Sequence, residues 1–421
     1  MDSIIDALRN NPIFKMSLGS KELFHSNFLE YLHSVNPTAF LEMINSLLLT
    51  KNNQLKPLDY DYKPGREMQN FDFCLYHTVK TRKSKNHPDG GEKVVFDLVI
   101  ENKVKSIAYK EQLVEYADKA RKSNKDCLFI LLTLTEDFPD KDSEDINDWS
   151  VVGYKRLMRN IEHFYIYRGL CQDEDFHYIK DYCAFIEKLC ELNEKVILPK
   201  TLNRDPLFDS RICKALKSIR LHDLYIKLRC SWFALKLKCE LEKTVPVKVV
   251  HKYGDIEKNN KYVNINVDLN QGNGQIAAWI WNGDTDDKTM KQEQLRKLNN
   301  TFEIVIQGNQ YRHGINHSRI RLSEKGIDDK YQRLKELYGR LKNYEAAYDF
   351  LNFGGIDNVQ PDSKDVKFRG SSVEKEGTFN CYSDSYIYRY IEITEKEPIE
   401  ELRKNMITDI RQVLENPPKL V

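Results

Sequence analysis

The sequence predicts an α/β fold, a mixed sheet flanked by helices, followed by an α+β C-terminal half. Three observations carry this expectation. Largely apolar runs of strand length at 94–100, 127–134 and 149–152 alternate with helical patterns at 106–123 and 154–161, as in strands joined through helices. The run CLFILLTL at 127–134 has no polar alternation, which suits a strand buried on both faces. Beyond Pro246 the pattern changes to strands separated by Gly and Asn turns, such as those around QGNG at 271–274.

In chain order, residues 1–19 predict a short helix and a loop. Ser20 is placed to cap a helix beginning at Lys21, whose apolar stripe is Leu23, Phe24, Phe28, Tyr31 and Leu32, with Glu22, His25 and Ser26 at its edge. A second helix is expected over 37–49, then a polar loop to Gly65. Residues 66–76 read as a strand in which Phe71, Phe73 and Leu75 alternate against Asp72 and Cys74. With the rings in the core, Asp72 faces a cleft; otherwise it is an ordinary polar position on a half-solvated strand. The following KTRKSKNHPDGG at 80–91 is a basic hairpin tip that either reaches phosphates or is simply solvated.

The strand at 94–100 ends abruptly at Glu101, Asn102 and Lys103. Alternate side chains share a face, so Glu101 and Lys103 leave the sheet together, with Asp97 further back on that side. Carboxylates hold Mg²⁺ through oxygen, and an adjacent lysine orients or deprotonates an attacking water. The competing reading is a salt bridge at a strand end. E-x-K occurs once in the chain, and the helix after it carries Gln112 and Tyr116 four apart on one face. Asp97 lies roughly 13 Å from Glu101 along an extended strand, too far to share one ion, whereas Asp72 on a neighbouring strand is not so constrained. Pro88-Asp89 and Pro361-Asp362 read as turns.

The segments SKELFHSNFLEYL (20–32), REMQNFDFCLY (66–76), VIENK (99–103) and QLVEY (112–116) together resemble the PD-(D/E)XK nuclease superfamily, in its branch with a Q-x-x-x-Y helix, over roughly residues 15–165. The resemblance implies a restriction-endonuclease-like sheet and hydrolysis of phosphodiester bonds with Mg²⁺, or Mn²⁺ in its place, on nucleic acid, DNA being the first expectation. It implies Asp72 and Glu101 as metal ligands with Glu22 as an additional acid, Lys103 assisting the water, and Gln112 with Tyr116 bracing the site or touching the phosphate backbone. On its residues alone Glu22 is equally an acid favoured by a helix N-terminus. The rival reading is a non-catalytic nucleic-acid or protein binding module on the same fold. The resemblance is compatible with a bacterial or phage-defence setting.

A chain of 421 residues exceeds one compact core, and two domains are expected, 1–198 and 199–421, with Pro199 at the boundary. The second is expected to hold helices at 207–220, 222–241, 287–298, 330–350 and 399–414 and strands at 262–269, 276–281, 302–307 and 385–393, and to select substrate or partner without chemistry. Tyr386, Tyr388 and Tyr390 alternate there on one strand face, as a base-stacking platform or a core stripe. Nine cysteines without a C-x-x-C exclude a disulfide framework and a structural zinc site of that type. With 65 basic and 64 acidic residues no global positive field exists, so nucleic-acid binding must use local patches. No window of eighteen apolar residues occurs, and MDSIIDALRNN lacks a signal-peptide pattern, so a cytoplasmic chain with no membrane partner is expected. The oligomeric state is left open.

Overall fold

A computed structural model describes residues 1–17, 21–48, 54–56, 61–81, 91–136, 143–251, 262–270, 273–281, 301–317, 320, 322, 330–341, 343–351, 353, 379–383 and 385–418. Two compact units emerge, Met1–Lys200 with Ile212–Leu228, and Thr201–Arg211 with Arg229–Val421.

In the first unit β1 (Lys63–Met68), β2 (Phe71–Thr81), β3 (Gly91–Lys103), β4 (Leu128–Thr133) and β5 (Trp149–Gly153) form a five-stranded sheet in that order. Pairing is antiparallel from β1 to β3 and parallel from β3 to β5. The helices are α1 (Asp2–Asn10), α2 (Pro12–Ser17), α3 (Lys21–Val35), α4 (Pro37–Leu47), α5 (Lys110–Arg121), α6 (Tyr154–Ile161) and α7 (Asp173–Leu192). This is the mixed sheet flanked by helices expected of a restriction-endonuclease-like fold. Asn36 caps α4 by accepting from the Ala39 N–H (3.0 Å), ahead of a proline whose missing N–H costs the first turn nothing.

Two departures from the expected pattern shape the sheet. The single strand expected over 66–76 is a hairpin, turning at Gln69 and Asn70 with φ of 54° and 71°. Two successive left-handed residues match the twist of paired strands. Further along, the β2–β3 register passes from Leu75↔Leu98 to Tyr76↔Phe96, leaving Asp97 as a bulge. The bulge takes Asp97 out of the alternation that would group it with Glu101. Its carboxylate instead pairs with His77 Nδ1 (2.6 Å) and accepts from Asn124 Nδ2 (3.3 Å). The Phe96 N–H donates to Ser123 Oγ and the Phe96 carbonyl accepts from Asn124 Nδ2, both at 3.1 Å, so the backbone groups freed by the bulge are satisfied from the end of α5. Trp149 Nε1 donates to the Leu113 carbonyl (3.2 Å) and ties the same helix to β5.

In the second unit α8 (Ser210–Lys217) belongs in part and α9 (His222–Glu242) is divided at Leu228. Its strands are β6 (Lys248–His251), β7 (Tyr262–Asn270), β8 (Asn273–Trp281), β9 (Thr301–Gln307), β10 (Gln310–Asn316), β11 (Asn380–Ser383) and β12 (Tyr386–Glu392), in the order β11-β12-β10-β9-β8-β7-β6. The helix expected over 330–350 is broken into α10 (Lys330–Leu341) and α11 (Glu345–Leu351), and α12 spans Ile399–Glu415. Asp409 on α12 accepts from Tyr311 Oη (2.6 Å) and pairs with His313 Nε2 (2.9 Å), joining the helix to β10. Tyr388 and Tyr390 are 2% and 1% exposed, and Arg312 lies over the Tyr388 ring, which makes these two tyrosines part of the packed sheet. Tyr386 lies across Gly314, where a Cβ would stand 2.6 Å from its hydroxyl. The helix expected at 287–298 and residues 82–90 of the basic hairpin tip lie outside the described residues. Among the described residues no helix is long and apolar enough to cross a membrane.

Candidate active site

The register Phe73↔Ile100, carried one step further, sets Asp72 opposite Glu101, and opposed residues of an antiparallel pair share a face. Their carboxyl groups interact directly. Asp72 Oδ2 also accepts from the Asn102 N–H (2.7 Å), which ties its carboxylate to the neighbouring strand.

Glu101 is 2% exposed. Its Oε1 accepts from Lys103 Nζ at 2.7 Å and from Gln112 Nε2 at 3.2 Å, while Oε2 is buried without a donor. Burial pushes Glu101 up to about 7; Lys103 opposes the rise and Asp72 adds to it. Burial also raises Asp72, against the pull of the Asn102 N–H and of Lys103. For Lys103, burial works to lower the pKa, but the attraction of Glu101, Asp72 and Glu22 outweighs it and holds the ammonium above its ordinary value. Lys103 is therefore a cation and not a free base in this arrangement.

Helix α5 supplies the opposite wall. Gln112 and Tyr116 sit one turn apart, and Gln112 Nε2 donates to Tyr116 Oη (3.1 Å) as well as to Glu101. The Tyr116 ring meets Phe71 edge-on at 5.6 Å, and burial raises its hydroxyl pKa. Five of the expected residues, Asp72, Glu101, Lys103, Gln112 and Tyr116, thus meet at one place.

Glu22, expected as a further metal-binding acid, lies near this group. Its Oε1 accepts from the Lys105 N–H (3.2 Å), and its charge is felt at Lys103 and Asp72. Among the described residues no three His, Cys, Asp or Glu side chains close into a metal-ligating group. Asp72 and Glu101 are the two acids opposed across the β2–β3 ladder. The buried, donorless Oε2 of Glu101 beside a second carboxyl is what a divalent cation would satisfy, so these oxygens fit the group the resemblance implies.

Asn102 was not anticipated. On the face of β3 opposite to Glu101, its Oδ1 accepts from Tyr154 Oη, and its Nδ2 lies 3.3 Å from the Glu22 carbonyl and 3.4 Å from Ser26 Oγ. The sequence signal was available. An amide flanked by site residues at the end of an apolar strand must point under the helices, where it needs partners.

Residues 92–184 match the family model of the PD-(D/E)XK nuclease superfamily. The matched segment carries Glu101, Lys103, Gln112 and Tyr116; Asp72 and Glu22 precede it. No curated protein and no solved structure matches significantly.

Proposed function

We propose that the first unit is a metal-dependent nuclease that hydrolyses phosphodiester bonds, with DNA as substrate. The observation that carries this reading is the orphaned Oε2 of Glu101, set beside Asp72 with Lys103 fixed on the sister oxygen. A superfamily match over β3 to α7 supports it.

Asp72 and Glu101 would hold Mg²⁺ or Mn²⁺, which supplies Lewis-acid activation of water and of the phosphoryl oxygens when bound. Lys103, held charged, donates its N–H groups toward the water or a phosphate oxygen and offsets negative charge as it develops. Gln112 keeps Glu101 Oε1 turned inward, leaving Oε2 for the cation. Tyr116 Oη, bridged through Gln112, marks the wall along which the phosphate backbone lies. The second unit, whose sequence has no acid and lysine pairing at the end of an apolar strand, is assigned to recognition of substrate or partner.

The test is incubation with plasmid, linear and single-stranded DNA under Mg²⁺, Mn²⁺ or chelator, with Lys103→Ala as control. Metal-dependent cleavage that Lys103→Ala lowers on the order of a hundredfold or more is expected. A parent protein that cleaves no DNA or RNA while binding nucleic acid as the variant does would replace this reading with a binding module.

A further inference from the structure

We infer that Asn102 is a positioning residue that sets how Asp72 and Glu101 meet, an inference that rests on the nuclease reading above. Its own backbone N–H holds Asp72 Oδ2 at 2.7 Å, so whatever fixes the peptide of Asn102 also fixes one of the two inward-facing carboxylates. Pairing with Leu132 on β4 holds that peptide in the ladder, and the side chain, 1% exposed, adds a second hold by reaching two helices from the far face of the sheet. Tyr154, the first residue of α6, donates its hydroxyl to Oδ1, while Nδ2 faces the Glu22 carbonyl and Ser26 Oγ in α3.

The orientation of the amide follows from its partners. A backbone carbonyl can only accept, so the nitrogen must face Glu22, and the Tyr154 hydroxyl is left as donor to Oδ1. The contacts to Glu22 and Ser26, at 3.3 and 3.4 Å, are long, so the amide is also held by Tyr154 from α6. Tyr154 is itself wedged against the His25 ring at 4.9 Å, and His25 Nδ1 meets Tyr182 Oη of α7 at 3.0 Å. Three helices thereby brace one peptide at the end of β3. An apolar side chain would fill the same space but leave the peptide to the ladder alone; the amide adds directional contacts on the face opposite to Asp72 and Glu101.

The experiment separates positioning from plain stability. Asn102→Leu keeps the bulk but strands the Tyr154 hydroxyl, so it loses both thermal stability and Mn²⁺ affinity. Adding Tyr154→Phe removes the stranded hydroxyl. The double variant is expected to regain most of the melting temperature while Mn²⁺ affinity, by calorimetry, stays about 10- to 100-fold weaker than the parent's, as when an outer partner of a metal ligand is lost. Cleavage should fall with the same pattern, in kcat more than in KM. If the double variant recovers Mn²⁺ affinity together with stability, Asn102 only supports the fold and the inference fails with the nuclease reading intact. A parent that binds neither Mn²⁺ nor Mg²⁺ overturns both.

Discussion

Lys103 Nζ stands 2.7 Å from Glu101 Oε1, with their side chains 14% and 3% exposed. In such a setting the ion pair is screened little by solvent, and each partner controls the charge of the other.

Replacing Lys103 by Met keeps the bulk of the stem and removes the cation. Glu101 should then titrate above its value of about 7, because Lys103 no longer opposes burial and Asp72. Carboxyl NMR of the metal-free variant checks this; a Glu101 resonance that titrates lower than in the parent would contradict the pairing.

Cation binding needs Glu101 ionised, so affinity depends on pH with a definite sign. Below about 7 the acid is mostly protonated, and Mg²⁺ or Mn²⁺ affinity should climb with pH, by about tenfold per unit for one released proton, then level off. The fold shows the opposite trend. A carboxyl raised from 4.5 to about 7 favours the native state at low pH and loses that contribution as pH rises across this window. Melting curves of metal-free protein between these values should show it.

Gln112→Ala removes a donor from Glu101 Oε1 and the bridge to Tyr116. Cleavage should drop about 10- to 100-fold with a smaller change in DNA binding. Unchanged kcat would mean that Gln112 does not orient Glu101.

Asp97 provides a control within the same strand. Asp97→Asn weakens a buried contact to His77 and should destabilise the first unit by about 1–3 kcal/mol, read by chemical denaturation. Metal affinity should stay within about twofold, since the bulge separates Asp97 from the site. A large loss of metal affinity would return Asp97 to the candidate ligands.

Gly314→Ala addresses the second unit. A Cβ there meets the Tyr386 hydroxyl and ring at 2.6–3.0 Å, and that hydroxyl bonds Glu303 across the sheet. Displacing it should cost about 1–3 kcal/mol, measured by denaturation, with metal affinity of the first unit unaltered.

Much of the first unit was legible because its elements carry long, uniform patterns. CLFILLTL suits a strand buried on both faces, and polar residues at the end of VVFDLVI mark the place where acid and lysine leave the core. The hairpin at Gln69 and Asn70 was not legible, since neither residue is the glycine that usually signals left-handed backbone. The bulge at Asp97 leaves no trace in composition, and it reversed the expected grouping of Asp97 with Glu101. Asn102 escaped because its partners, Tyr154, Ser26 and Glu22, come from helices distant in sequence. β6 and β11, with four residues each, are too short to show a period.

The two inward-facing acids stand on adjacent strands at opposed rungs of one ladder, so their separation is inherited from strand pairing and not from the length of chain that joins them. A change in the length of chain between Thr81 and Gly91 should leave it unaltered. A chain with extra residues inserted there should retain the metal affinity of the parent, and relatives of this chain need share no fixed interval between the first acid and the E-x-K lysine.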